Sequence, residues 1–210
     1  ETQIVGQLKD AFRFAYDNKF INMMTSNKLK NIIFFLVVLA IFTPLLAHQE
    51  FIFPYIYLKN IAFRALVLLM GFFIAWYAIL NKKLVFKKHY ILYALASFVF
   101  VQFLATIFGK NIYNSFWSNF ERMEGWIYLF LLLILFLVLI NIFHKTKDWV
   151  SIFRFSIMVS SAVILYDIFG RLGWISATLI QSSSGTIGNT SFFGGYLLFN
   201  TFFAGILFLI

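Results

Sequence analysis

The sequence predicts an all-α, polytopic membrane helix bundle of about six transmembrane helices with a cytoplasmic amino terminus. Three observations predict it. Residues of the AVILMFWYC set make up 62% of the 210-residue chain and charged residues 12%, against roughly 45–50% and about 25% in soluble domains. The mean hydropathy of +0.88 leaves too little polar surface to cover a water-soluble globule. The apolar residues also fall into six runs near the length of a bilayer-spanning helix, about 20 residues for a 30 Å hydrocarbon core. These features exclude soluble enzymes, disordered tails and nucleic-acid-binding domains.

The six runs are Asn31 to Ala47, Ile61 to Leu80, Tyr90 to Gly109, Trp126 to Phe143, Trp149 to Gly170 and Ser191 to Ile210. The first is short and carries Pro44 near its end, with a continuation through Phe51 to Phe53 after a break as an open alternative. The fourth, LFLLLILFLVLI, is the clearest. Residues 1–30 read as a cytoplasmic or surface segment and 31–210 as the transmembrane domain. Phe12, Phe14 and Phe20 among Lys9, Arg13 and Lys19 suit an amphipathic surface helix. Translated upstream sequence is an equal reading, with Met23 or Met24 as the start. No signal-peptide pattern precedes the spans.

Lys and Arg orient the bundle, because they concentrate in cytoplasmic loops. Twelve of the 17 fall on one side: Lys9, Arg13, Lys19, Lys28, Lys30, Lys82, Lys83, Lys87, Lys88, Lys145, Lys147 and Arg154. Lys59, Arg64, Lys110, Arg122 and Arg171 fall on the other. The net charge of +9 is therefore topogenic and implies no nucleic-acid partner. The chain has no Cys, and His48, His89 and His144 lack ligand spacing. No metal and no cofactor are expected.

With this orientation the second, fourth and sixth helices begin outside. A helix amino terminus offers unpaired N–H groups and the positive end of its dipole, which favour anions. Lys59 and Arg64 introduce the second helix, with Arg64 expected in its first turn, and Arg122 the fourth. The segment Gly185-Thr-Ile-Gly-Asn-Thr-Ser191 precedes the sixth, with backbone amides suited to a nest. Together they would form a cationic pocket for a lipid-linked phosphate or diphosphate. Each piece has a plainer reading. Arg64 suits an interfacial arginine, and Arg122 between Glu121 and Glu124 suits local surface pairs. The glycines suit a turn and close packing, with Ser191 and Gly195 as a small-residue pair. Asp167 and Arg171 read as an i,i+4 ion pair, and Gln102 and Asn200 as helix–helix hydrogen bonds. Tyr113, Trp117 and Trp126 suit an interfacial belt.

Phe53-Pro54 with Lys59 and Arg64, then SFWSNFERMEG (Ser115 to Gly125), then GTIGNTSFFGGYL (Gly185 to Leu197), resemble the amino-terminal half of the O-antigen ligase/polymerase superfamily. The resemblance runs in order and topology over roughly residues 25 to 210, and its middle motif is the most specific. Members often carry Pro after the Gly-Asn pair, where this chain has Thr190.

The resemblance implies a multi-pass glycosyltransferase of the bacterial cytoplasmic (inner) membrane, acting in lipopolysaccharide or other cell-envelope polysaccharide synthesis. Its donor would be a polyprenyl-diphosphate-linked glycan, and its acceptor a hydroxyl on a glycan, lipid or protein. Transfer would invert the anomeric carbon without metal or nucleotide sugar. Lys59, Arg64, Arg122, Gly188 and Asn189 would then bind the diphosphate. The catalytic base is expected beyond Ile210, in a longer protein of which this fragment alone is inactive; His48 lies on the correct side. Two readings from other classes stand beside it: a non-catalytic flippase or transporter for an anionic lipid-linked glycan, and a membrane scaffold.

Overall fold

The computed structural model describes residues 25–48, 51–81, 90–119, 123–174 and 184–210. Those residues form an all-α bundle without strands: α1 (25–41), a 3-10 turn (Thr43–Leu45), α2 (Tyr57–Asn81), α3 (Tyr90–Ile107), α4 (Ile112–Trp117), α5 (Trp126–Ile142), α6 (Thr146–Arg171) and α7 (Thr190–Leu209). Five of the helices are long and apolar enough to cross a membrane. Of the two shorter ones, α4 has six residues and α5, the most uniformly apolar run, has 17. At 1.5 Å per residue it reaches about 26 Å, the lower limit of a spanning helix. The amphipathic-helix reading of the first twenty residues lies outside the described residues.

Local chemistry sets the boundaries. The first helix is already helical at Thr25, six residues before the first run begins, because Lys28 and Lys30 are tolerated at a membrane-facing end. It closes at Pro44, which lacks a backbone donor. Phe42, Leu45 and Leu46 donate to Leu39, Phe42 and Thr43, and residues 51–56 are bends and turns. The apolar stretch through Phe53 therefore does not continue the first span. Asp148 accepts from the Lys145 N–H at 3.3 Å and places a carboxylate at the start of α6. At the other end of α6, Gly173 (φ +73°) allows a Schellman closure. Trp174 N–H donates to Phe169 and Gly173 N–H to Gly170, and the Phe169 and Trp174 rings stack at 5.3 Å.

The core joins α1, α2 and α5: Ile33, Leu36 and Val37 pack with Met70 and with Val138, Ile142 and Phe143. Helix α5 also packs on α3 and α4, and α6 packs on α7 and on the 3-10 turn. Asn200 receives the Ser156 hydroxyl at 2.7 Å between α6 and α7, and Phe153 stacks on Phe203 beside it. The remaining apolar surface, including Phe35, Ile79, Phe98, Phe199 and Phe208, faces outward. In lipid that exposure carries no hydrophobic penalty. Gly195 meets no neighbour at its Cβ position and Ser191 is exposed, so this pair makes no packing seam among the described residues.

The helices alternate in direction. The Lys30 ammonium lies over the Tyr77 ring, 5.4 Å from its centroid, joining the start of α1 to the end of α2. The opposite end gathers the 3-10 turn and the starts of α2, α5 and α7. The distribution of Lys and Arg assigns that end to the outside.

Candidate functional site

The segment before α7 organises the outer end. Pro44 terminates α1 and leaves carbonyls there without helical donors; the Thr186 hydroxyl donates to the Pro44 carbonyl at 2.7 Å. Gly185 (φ +52°) turns the chain so that its N–H reaches Asp167 Oδ1 at 3.0 Å. Asp167 is only 5% exposed, and its other oxygen takes Arg171 at 2.7 Å. The expected i,i+4 pair is thus present, and the carboxylate also anchors the turn. Gly188 (φ +80°) lies flat against Tyr55, where a Cβ would sit 2.3 Å from the ring. Asn189 caps α7, its side-chain oxygen accepting from Ser191 and Phe192 at 2.9 and 3.3 Å.

Those bonds change one expectation. The amides of Gly185, Ser191 and Phe192 already have side-chain acceptors, and Ile187 N–H donates to Ser184 at 3.0 Å. They do not form an open anion nest, because Asp167 and Asn189 occupy the place an anion would take. Gly188 and Asn189 shape the wall instead.

The two cations diverge from α2 to two neighbouring loops. Lys59, in its first turn, donates to the Thr186 carbonyl. Helix α2 begins at Tyr57, one turn before the apolar run, so Arg64 sits in the second turn rather than the first. Its guanidinium donates to the Met123 carbonyl just before α5, and its Nε is buried without a hydrogen-bond partner among the described residues. Arg122 itself lies outside the described residues. Phe63 and Tyr128 pack ring to ring at 5.7 Å and hold α2 against α5 nearby.

Between these segments lies a cavity of about 650 Å³. Lys59, Gly188 and Asn189 are on its wall together with Pro44, Tyr55, Phe192 and Tyr196. Among the described residues its charged lining is Lys59 and Glu124, so it is less cationic there than the sequence suggested. Arg64 stands beside the cavity, tied to the loop that carries Glu124. Burial pushes the Tyr55 hydroxyl above its usual range, with Tyr166 contributing next, so it stays protonated and can donate. His48 stands edge-on to Phe51, 5.8 Å away, and is not among the lining residues.

No family model matches this chain, and neither does any curated protein or solved structure.

Three contributors were missed in the sequence. Gly125 caps α5 where a Cβ would lie 2.4 Å from the Phe116 carbonyl oxygen, so only glycine lets α4 pass this close. Its signal was the lone glycine ending an otherwise bulky motif. Trp126 is no free belt residue: its Nε1 donates to Val99 at 3.0 Å, and its ring packs among Phe103, Phe116 and Phe130. Tyr113 and Trp117 are exposed, as a belt requires. Finally, a second cavity of about 220 Å³ opens between α3, α4 and α5, lined by Gln102, Thr106, Ser115 and Glu124 among others.

Proposed function

We propose that this chain is a membrane glycosyltransferase of bacterial cell-surface polysaccharide assembly, moving a glycan from a polyprenyl diphosphate to an acceptor hydroxyl at the non-cytoplasmic face of the inner membrane. One observation carries the reading: the bonds from Lys59 to Thr186 and from Arg64 to Met123 tie the three family-like segments together at one end of the bundle, around a cavity. At about 650 Å³ that cavity falls within the ordinary range of ligand sites.

The difficult step in such a transfer is departure of the lipid diphosphate with negative charge. A cation held beside the cavity stabilises that charge more in the transition state than in the bound donor. Lys59 on the wall and Arg64, tied to the Met123 carbonyl of the adjoining loop, supply the cations; Arg122, outside the described residues, is proposed to join them. Phe53, Tyr55, Phe192 and Tyr196 offer aromatic surface for the first prenyl units or a sugar face.

The test is binding in nanodiscs, read by tryptophan quenching, with a polyprenyl diphosphate and the matching uncharged polyprenol. The diphosphate is expected to bind at least tenfold more tightly than the alcohol. Lys59→Gln and Arg64→Ala should each cut that preference by about tenfold to a hundredfold, the equivalent of one charge-assisted bond of roughly 1.5–3 kcal/mol. Equal affinity for the two lipids overturns the proposal.

A further inference from the structure

Glu124 occupies a position that the diphosphate-binding reading does not use. It borders both cavities, the large one that carries Lys59 and the small one between α3, α4 and α5. Among the described lining residues of either cavity it is the sole carboxylate. Its side chain is exposed, so its oxygens are accessible, and the adjoining Gly125 is buried against α4.

The two cavities differ in chemistry. The large one has an ammonium and a broad aromatic wall. The small one has no cation among its described lining residues; it offers the Gln102 amide, the Thr106 and Ser115 hydroxyls and the Glu124 carboxylate. Thr106 donates to the Gln102 carbonyl at 2.8 Å, which leaves its oxygen lone pairs free to accept. Groups of this kind pair with neutral hydroxyls, which both give and take hydrogen bonds. They disfavour phosphate, because no cation among the described lining residues offsets the Glu124 carboxylate there, as Lys59 does in the large cavity. The walls are also closely packed: Trp126 donates to Val99 and meets three aromatic rings, and Gly125 abuts the Phe116 backbone.

We infer that the small cavity receives the acceptor hydroxyl and that Glu124 is the general base of the transfer, standing between acceptor and donor. This rests on the glycosyltransferase reading and deepens it. The acceptor oxygen forms a bond to the anomeric carbon as the bond from that carbon to the diphosphate oxygen breaks. The electron pair leaves with the diphosphate, and the hydroxyl proton passes to a Glu124 oxygen and then to water. A base positioned in this way contributes about 10²–10⁴-fold.

The experiment uses the full-length protein that carries these residues, in nanodiscs, with a polyprenyl-diphosphate-linked glycan as donor and octyl glucoside as acceptor. Glu124→Gln keeps the shape and removes the base. It should bind polyprenyl diphosphate within about threefold of the parent while its kcat falls at least about a hundredfold. Glu124→Asp should recover part of that loss. Ser115→Ala should raise the octyl glucoside KM severalfold and leave diphosphate affinity unchanged. Glu124→Gln that binds donor and transfers within threefold of the parent overturns the base role and leaves the glycosyltransferase reading standing. Loss of diphosphate binding in Glu124→Gln also overturns it, by making the carboxylate structural. A full-length parent protein that moves no sugar overturns the glycosyltransferase reading, and this inference with it.

Discussion

Replacing Gly188 with Ala tests the geometry on which the cavity depends. Two independent costs arise. At φ +80° a residue with a Cβ pays about 1–2 kcal/mol for left-handed backbone. The new carbon would also stand 2.3, 2.6 and 2.7 Å from Tyr55 ring and Cβ atoms; displacing that ring costs a further 1–3 kcal/mol or so, as overpacking does. The expected total is about 2–5 kcal/mol. Gly173 provides an internal control, because its φ is +73° but nothing lies within 4 Å of its Cβ position. Gly173→Ala should therefore lose only the backbone part, about 1–2 kcal/mol. Both substitutions stiffen the unfolded chain equally, so the difference isolates the contact with Tyr55. The assay is reversible SDS unfolding in mixed micelles, followed by tryptophan fluorescence. Adding Tyr55→Ala to Gly188→Ala should recover about 1–3 kcal/mol relative to additivity. If Gly188→Ala and Gly173→Ala lose the same stability, or the cycle shows no coupling, Tyr55 does not lie on Gly188 and the cavity wall is wrong.

Three further outcomes are expected. Asp167→Ala should cost about 1–3 kcal/mol in the same assay, because it strands the Gly185 N–H. Asp167→Asn should cost less than half of that, and Arg171→Ala under about 1 kcal/mol, since the Arg171 side chain is 50% exposed; equal losses for Asp167→Ala and Arg171→Ala would make the ion pair, not the turn, the purpose of Asp167. Ser156→Ala should cost about 0.6 kcal/mol and no more than about 1.7, the range for hydrogen bonds between membrane helices; a larger unfolding loss would assign Asn200 a second role. The absence of Cys permits single-cysteine mapping with an impermeant maleimide in intact cells. Asn114→Cys should label and Lys83→Cys should label only after lysis, and the reverse pattern inverts the bundle.

The spans were legible in the sequence because span length and apolarity are local properties that the bilayer itself selects. Their ends were less so. Tyr57 begins α2 without a conventional polar cap in the Tyr55-Ile-Tyr57 stretch, so nothing announced that Arg64 lies a full turn deeper. The meeting of Lys59, Gly188 and Asn189 on one wall followed from charge and topology alone, since helices that start on the same side present their first residues to one another. What pairs with what did not follow. Asp167 reads naturally with Arg171, four residues away, whereas its bond to Gly185 crosses 18 residues and depends on where the intervening chain returns. Trp126 was misread for the same reason: an aromatic at a membrane boundary looks interfacial until Phe103 and Phe116 arrive from other helices.

The resting partners of the two cations bear on how the site would be used. Lys59 and Arg64 each donate to a neutral backbone carbonyl, of Thr186 and Met123, which holds the side chain in one place before a ligand arrives. A phosphate oxygen accepts a charge-assisted bond roughly twice as strong as a neutral one, so exchange of carbonyl for phosphate is favourable and needs little reorganisation. Thr186 is buried, however, and its carbonyl loses a donor when Lys59 leaves, at about 1–3 kcal/mol if nothing replaces it. On the proposed function, diphosphate affinity would be a difference between two terms of similar size, and Lys59→Ala would alter both. Lys59→Gln keeps an N–H donor on a side chain one atom shorter while removing the charge. Stability should then hold within about 1 kcal/mol as diphosphate affinity falls. A Gln variant that keeps the affinity would mean that Lys59 serves the turn and not the ligand.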